Sequence, residues 1–151
     1  MHGGFSLAEI DHLLRQVDAD LAAWMAGFGG SAMGRDANGH QLQAYMATLL
    51  AMRPDIGRTL MRSIFRSDHR ELLSHLSANT TIVQSADDVA VPLSVFDYLV
   101  NRTHCIGQHV LPVSGHLPHV THPQLVAPIV HNLLVSLGGH DAGALPAEEP
   151  A

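Results

Sequence analysis

The chain has 151 residues, with 8 Lys and Arg against 14 Asp and Glu, a formal charge of −6 with histidine neutral. That balance argues against a nucleic-acid partner, which needs a basic surface. Hydrophobic residues make up 46% and charged residues 15%, too apolar a mixture for a disordered chain, yet no apolar run nears the ~20 residues of a membrane span. The opening Met1-His2-Gly3-Gly4 lacks a signal-peptide pattern. A lone cysteine, Cys105, excludes an intramolecular disulfide and fits a reducing compartment, so the expected location is cytoplasmic or nuclear. Histidine, at 12 residues, is the conspicuous excess, and it is the side chain best suited to proton transfer and metal binding near neutral pH.

The first half reads as helical. Ser6-Leu7-Ala8-Glu9 is a capping box, followed by Leu7, Ile10, Leu13, Leu14, Val17 and Leu21 at helical spacing. Ala22 to Phe28 continues helical, with a break predicted at Gly29-Gly30. A polar turn over Gly34 to Gly39 leads into a second amphipathic stretch with Leu42, Tyr45, Met46, Leu49 and Leu50. Arg53-Pro54 punctuates again, because a residue before proline avoids helix. Ile56 to Phe65 forms a further helix, and Ser67-Asp68 starts a short one through Leu76. Arg53, Arg58, Arg62, Arg66 and Arg70 recur near every fourth position, the pattern of a solvated face.

After Asn79 the pattern changes. Thr80 to Gln84 is short and β-branched, a strand, and Asp87-Asp88 follow in a loop. Pro92 suits the first turn of a helix through Val100. Ile106 to Val113 is the second strand, Ser114 to Pro123 a loop, and Leu125 to Leu137 a last helix with Pro128 inside it. The predicted organisation is a helical region over 1–78, a β-α-β-α unit over 79–137 and a disordered tail over 138–151. Strands alternating with helices imply a parallel α/β arrangement. Two strands alone do not make a stable parallel sheet, so the expectation is the end of a larger α/β domain.

In a parallel sheet, reactive groups gather at the C-terminal ends of the strands. Asp88 follows the first strand and His116 the second, and a carboxylate beside an imidazole fixes its tautomer and stabilises the imidazolium. Asp then His is the order of the last two members of an α/β-hydrolase triad, in which serine comes first. Taken singly, each residue has an ordinary reading, a turn or cap for Asp88 and a loop position for His116; Asp87 is the alternative acid. The elbow pattern Gly-x-Ser-x-Gly does not occur in the chain, and its nearest match, Gly29-Gly30-Ser31-Ala32-Met33, follows a helix, so Ser31 is a poor nucleophile. His116, His119 and His122 recur every third position and leave a zinc or copper reading open, although Pro118 and Pro123 prevent one regular helix from aiming all three inward. No cofactor is expected.

The blocks Gly3-Gly4-Phe5, Trp24-Met25-Ala26-Gly27-Phe28, Met52-Arg53-Pro54-Asp55-Ile56, Ser67-Asp68-His69-Arg70, Asp88-Val89-Ala90-Val91-Pro92 and Gly115-His116-Leu117-Pro118-His119 occur in one order. In that order the chain resembles the C-terminal half of the plant strigolactone and karrikin receptor hydrolases and their bacterial relative RsbQ. The resemblance implies an α/β-hydrolase fold, with a four-helix V-shaped lid from about Ser6 to Phe65. It implies Asp88 and His116 as triad acid and base, and Trp24, Phe28, Ile64 and Phe65 lining an apolar ligand pocket. It further implies slow hydrolysis of a butenolide-type lactone signal and, in the plant members, an F-box protein and repressor targets as partners. Where relatives usually carry Ala-Pro-Leu after the Phe28 position, this chain has Gly29-Gly30-Ser31, which implies a more flexible lid turn. The alternatives kept open are a non-catalytic fragment that binds a ligand or partner, and an RsbQ-type stress-signalling hydrolase.

Overall fold

The computed structural model describes residues 4–76 and 79–138. Helix α1 (Leu7–Ala19) starts at Ser6, and the predicted capping box is formed in both directions between Ser6 and Glu9. The Ser6 backbone N–H, then its hydroxyl, hold the Glu9 carboxyl below its usual range. Asp20 closes α1 and caps α2 (Leu21–Met33) by accepting the Ala23 N–H. A second capping box, Asn38 with Gln41, opens α3 (Gly39–Leu50), and Pro54 occupies the first turn of α4 (Pro54–Arg66), where a missing N–H costs nothing.

The four helices share one apolar cluster. Val17, Leu21 and Met25 are buried at its centre, and Leu13, Trp24, Leu49, Met52 and Met61 pack around them. Each fully buried large side chain stabilises by ~1.5–3 kcal/mol, so this cluster is what holds the helical half together. Gly57 lets α4 approach closely, because a Cβ there would lie 2.7 Å from Leu21 Cδ2.

The break predicted at Gly29-Gly30 is absent, and α2 runs through both glycines to Met33. The reason is tertiary: a Cβ on Gly29 would lie 2.8 Å from Leu49 Cδ1, so this glycine admits α3 instead of ending α2. The stop falls at Gly34, where φ is +78° and ψ 175°, a conformation almost confined to glycine. The helix expected from Ser67 is a 3₁₀ turn at Arg70–His75. Four of the five stripe arginines are ion-paired at the surface: Arg53 to Asp55, Arg62 to Asp18, Arg66 to Asp11 and Arg70 to Asp68.

Strand β1 (Thr80–Asp87) is longer than expected and takes Asp87 out of the loop. Helix α5 (Leu93–Val100) has Pro92 as its cap residue instead of inside its first turn. Strand β2 (Cys105–Ser114) pairs with β1 in parallel, with Gln84 opposite Val110 and Asp87 opposite Ser114. A short helix, α6 (Pro118–Thr121), interrupts the predicted loop, and α7 (Pro123–Gly138) takes in Gly138, the first residue of the predicted tail. Residues 139–151, like the Ser77-Ala78 junction, lie outside the described residues. Ile106 and Val110 on β2 are exposed, and α7 carries no buried side chain. Among the described residues no helix is long and apolar enough to cross a membrane.

The end of α2 meets the end of β2 at a backbone crossing. A Cβ on Gly34 would lie 2.4 Å from the Ser114 carbonyl oxygen, and one on Gly115 (φ +106°) would lie 2.5 Å from the Met33 carbonyl oxygen. Gly34→Ala therefore destabilises by at least ~1–3 kcal/mol. Gly30→Ala, at a helix-interior position where a Cβ meets open space, stabilises by roughly 0.5–1 kcal/mol. Thermal denaturation of both variants checks the two opposite signs.

Candidate active site

Because β1 and β2 are parallel, their C-terminal ends lie side by side, and the residues that follow each strand face one another across the sheet end. Asp88 follows β1, and its side chain is only 6% exposed. Its Oδ1 accepts the N–H groups of Ala90 at 2.8 Å and Val91 at 3.1 Å, a local turn that fixes the carboxylate. Its Oδ2 lies 2.8 Å from His116 Nδ1. A carboxylate only accepts, so this contact makes Nδ1 the protonated nitrogen and leaves Nε2 as the proton acceptor. The imidazole itself is 42% exposed.

The His116 loop is tied to α2 as well as to β1. Gly115 N–H donates to the Asp87 carbonyl at 2.8 Å, and His116 N–H donates to the Ala32 carbonyl at 2.7 Å. Ser114 N–H donates to Asp36 Oδ2 at 2.9 Å, and Arg35 N–H donates to Ser114 Oγ at 3.3 Å. Asp87, the alternative acid, instead turns its carboxylate to the Arg35 guanidinium at 2.7 Å, on the exposed surface.

Three of the four aromatic and aliphatic residues singled out by resemblance come together. Trp24 and Phe28, one helical turn apart on α2, stack with ring centroids 4.9 Å apart. Phe65 stands edge-on to both, at 6.1 Å and 6.4 Å, a geometry that suits the ring quadrupoles. Ile64 is 52% exposed and lines neither of the two clefts beside the aromatic group. Sequence reasoning about the pocket missed Phe5, edge-on to Phe65 at 6.0 Å, and Val89. Both lie inside the sequence blocks quoted above, and nothing in their spacing marked them as cleft residues.

A cleft of about 880 Å³ has Phe5, Leu13, Trp24, Phe28, Ser31 and Val89 among its walls. It does not contain the Asp88–His116 pair; its link to the pair runs through Val89, the next residue after Asp88. Phe65 borders the neighbouring cleft beside Phe5. Ser31 reaches the cleft wall, but its hydroxyl donates to the Gly27 carbonyl at 3.1 Å within α2. That is the ordinary back-bond of a helical serine, with none of the strained strand-to-helix turn of an elbow. His119 borders a groove along α7 and His122 contacts Thr121 Oγ1, so the three spaced histidines do not converge. Among the described residues no three His, Cys, Asp or Glu side chains are grouped to hold a metal ion.

Replacing Asp88 by Asn tests the pair directly. The amide still offers one oxygen but no longer demands a donor at Nδ1, so His116 is expected to lose its single-tautomer nitrogen-15 signature in NMR. An unchanged tautomer in Asp88→Asn would show that another group orients the ring.

No protein-family model matches the chain. Curated plant proteins do. The chain is 36% identical over 130 residues to karrikin insensitive 2 receptor CA of Petunia hybrida, a match covering 85% of this chain and 48% of that protein. It is 36% identical over 139 residues to a strigolactone esterase of Pisum sativum, covering 90% of this chain and 50% of that protein. A strigolactone esterase of Arabidopsis thaliana gives 36% over 136 residues, with 88% and 50% covered. The chain thus spans about half the length of the curated relatives it matches. Among solved structures, a hydrolase from Oleispira antarctica superposes with a TM-score of 0.78 at 24% identity, over 87% of this chain and 49% of that one. The structure shares its fold with that hydrolase and carries a β-α-β unit in the α/β-hydrolase manner. By sequence, over the half of their length that it spans, the chain is similar to proteins named as karrikin insensitive receptors and strigolactone esterases.

Proposed function

We propose that this chain supplies the lid, acid and base of a receptor-type serine hydrolase that takes a small, apolar butenolide or lactone signal. The single observation that carries the reading is the Asp88–His116 contact of 2.8 Å on a carboxylate that is buried and held by two backbone N–H groups. In this reading Asp88 orients His116 and stabilises the imidazolium, and His116 Nε2 takes the proton of a serine hydroxyl as it attacks the lactone carbonyl. The same nitrogen then returns the proton to the leaving oxygen. No Gly-x-Ser-x-Gly occurs in the chain, so the serine and its oxyanion donors belong to another segment of the fold. The exposed face of β2 and α7, together with the half-length match to the relatives, supports a further layer against them.

The aromatic group of Trp24, Phe28 and Phe65, with Phe5, forms the apolar wall on which the ligand rests, and α1 to α4 act as the lid. Names of the relatives, a karrikin insensitive receptor and strigolactone esterases, support a lactone ligand and a signalling role. A partner chain of the F-box type and its repressor targets fit the same reading.

Trp24 is the chain's one tryptophan, so its emission reports directly on the wall. A synthetic butenolide should quench it saturably, and Phe28→Ala, which removes the stacked ring, should weaken binding about 3- to 10-fold. The butenolide should be recovered intact from the chain alone. Non-saturable quenching, equal in both proteins, would contradict the ligand wall; hydrolysis abolished by His116→Ala would mean that another nucleophile has been recruited.

A further inference from the structure

The open edge of β2 is not left bare at its C-terminal end. Ser114 N–H points away from β1, and the carboxylate of Asp36 accepts it at 2.9 Å, taking the place that a neighbouring strand would occupy. Two residues on, His116 N–H is accepted by the Ala32 carbonyl at 2.7 Å. Between these two bonds the backbones cross at Gly34 and Gly115, closely enough that neither position admits a Cβ. The last turn of α2 and the turn after it, from Ala32 to Asp36, thus supply the acceptors that a neighbouring strand would offer. These contacts bridge the last turn of α2, which also carries the aromatic wall, to the loop that bears the imidazole.

From these contacts we propose that Asp36 is a positioning residue for His116: its carboxylate, with the Ala32 carbonyl, locks the Ser114–His116 loop to the end of α2, so that the place of α2 sets how well the imidazole meets Asp88. The consequence for the hydrolase reading rests on the acid and base assigned above, but the contact itself does not. Movement of α2 against the sheet would pull on Ser114 and His116 before it reached Asp88. Asp88 has its own anchors in Ala90 and Val91. The imidazole side of the pair is therefore the one bonded directly to α2, while Gly115 N–H keeps it on the Asp87 carbonyl of β1. Arg35 and Asp87 close the same crossing from outside, where an exposed ion pair contributes little.

The test uses the full chain and the nitrogen-15 signals of its histidines, with His116 identified by its loss in His116→Gln. Asp36→Ala removes the acceptor, and the Nδ1–H tautomer ratio at His116 should fall about 2- to 10-fold, the range expected for one lost hydrogen bond. Asp36→Asn keeps an acceptor oxygen without the charge and should stay near the unmodified chain. Asp36→Leu keeps the volume and gives the same reading as Ala should Asp36→Ala lose the fold, as judged from Trp24 emission. An unchanged tautomer in Asp36→Ala or Asp36→Leu, or an equal fall in Asp36→Asn, would overturn the proposal. If Asp88→Asn shifts the tautomer while Asp36→Ala does not, the positioning role fails and the acid–base pair stands. If neither variant shifts it, both fail.

Discussion

The geometry depends on one steric constraint, the crossing of two glycine backbones where α2 and β2 end. With side chains at either position the two segments could not meet, since a Cβ would fall 2.4–2.5 Å from a carbonyl oxygen of the other segment. Closing that gap lets four polar contacts form within a few residues: His116 to Ala32, Ser114 to Asp36, Arg35 to Ser114, and Arg35 to Asp87. The helical half and the β-α-β half are thereby joined at the site itself. The helix that carries Trp24 and Phe28 and the loop that carries His116 are thus tied by one set of contacts, which is what the proposed ligand site would require.

Electrostatics divide sharply between this frame and the surface. Asp88 is nearly buried, and both its oxygens are occupied, one by two backbone N–H groups and the other by His116. A buried carboxylate left without such partners would be costly, so the loop that fixes it is as much a part of the site as the carboxyl group. The arginine stripe is different in kind. Asp68, whose carboxyl is pushed down to about 2 chiefly by its hydrogen bond from Arg70, is exposed at the surface. There the pairing orders a turn and adds little to stability.

Much of this was legible in the sequence, and the failures have physical causes. The capping box at Ser6, the β-branched run from Thr80 and the punctuation at Pro54 and Pro92 are local signals, and the elements they announce are present. Asp88 and His116 could be paired on paper because parallel strands bring their C-terminal ends together. Gly29 misled because a glycine inside a helix is locally a breaker, whereas here its missing Cβ makes room for Leu49. Ile64, beside Phe65 in sequence, is exposed instead of joining the ring group, as neighbours on a helix diverge by about 100°. Asp36 gave no signal at all: it lies in a polar turn, and its partner is the Ser114 backbone N–H, 78 residues away.

The central claim, that α2 and the His116 loop form one frame, is most directly tested by hydrogen–deuterium exchange of individual backbone amides in the 151-residue chain. The Ser114, Gly115 and His116 N–H groups have acceptors in Asp36, Asp87 and Ala32. They are predicted to exchange as slowly as the amides of α2 and to speed up together in Asp36→Ala. Exchange at these three positions as fast as in an exposed turn, while α2 stays protected, would contradict the account.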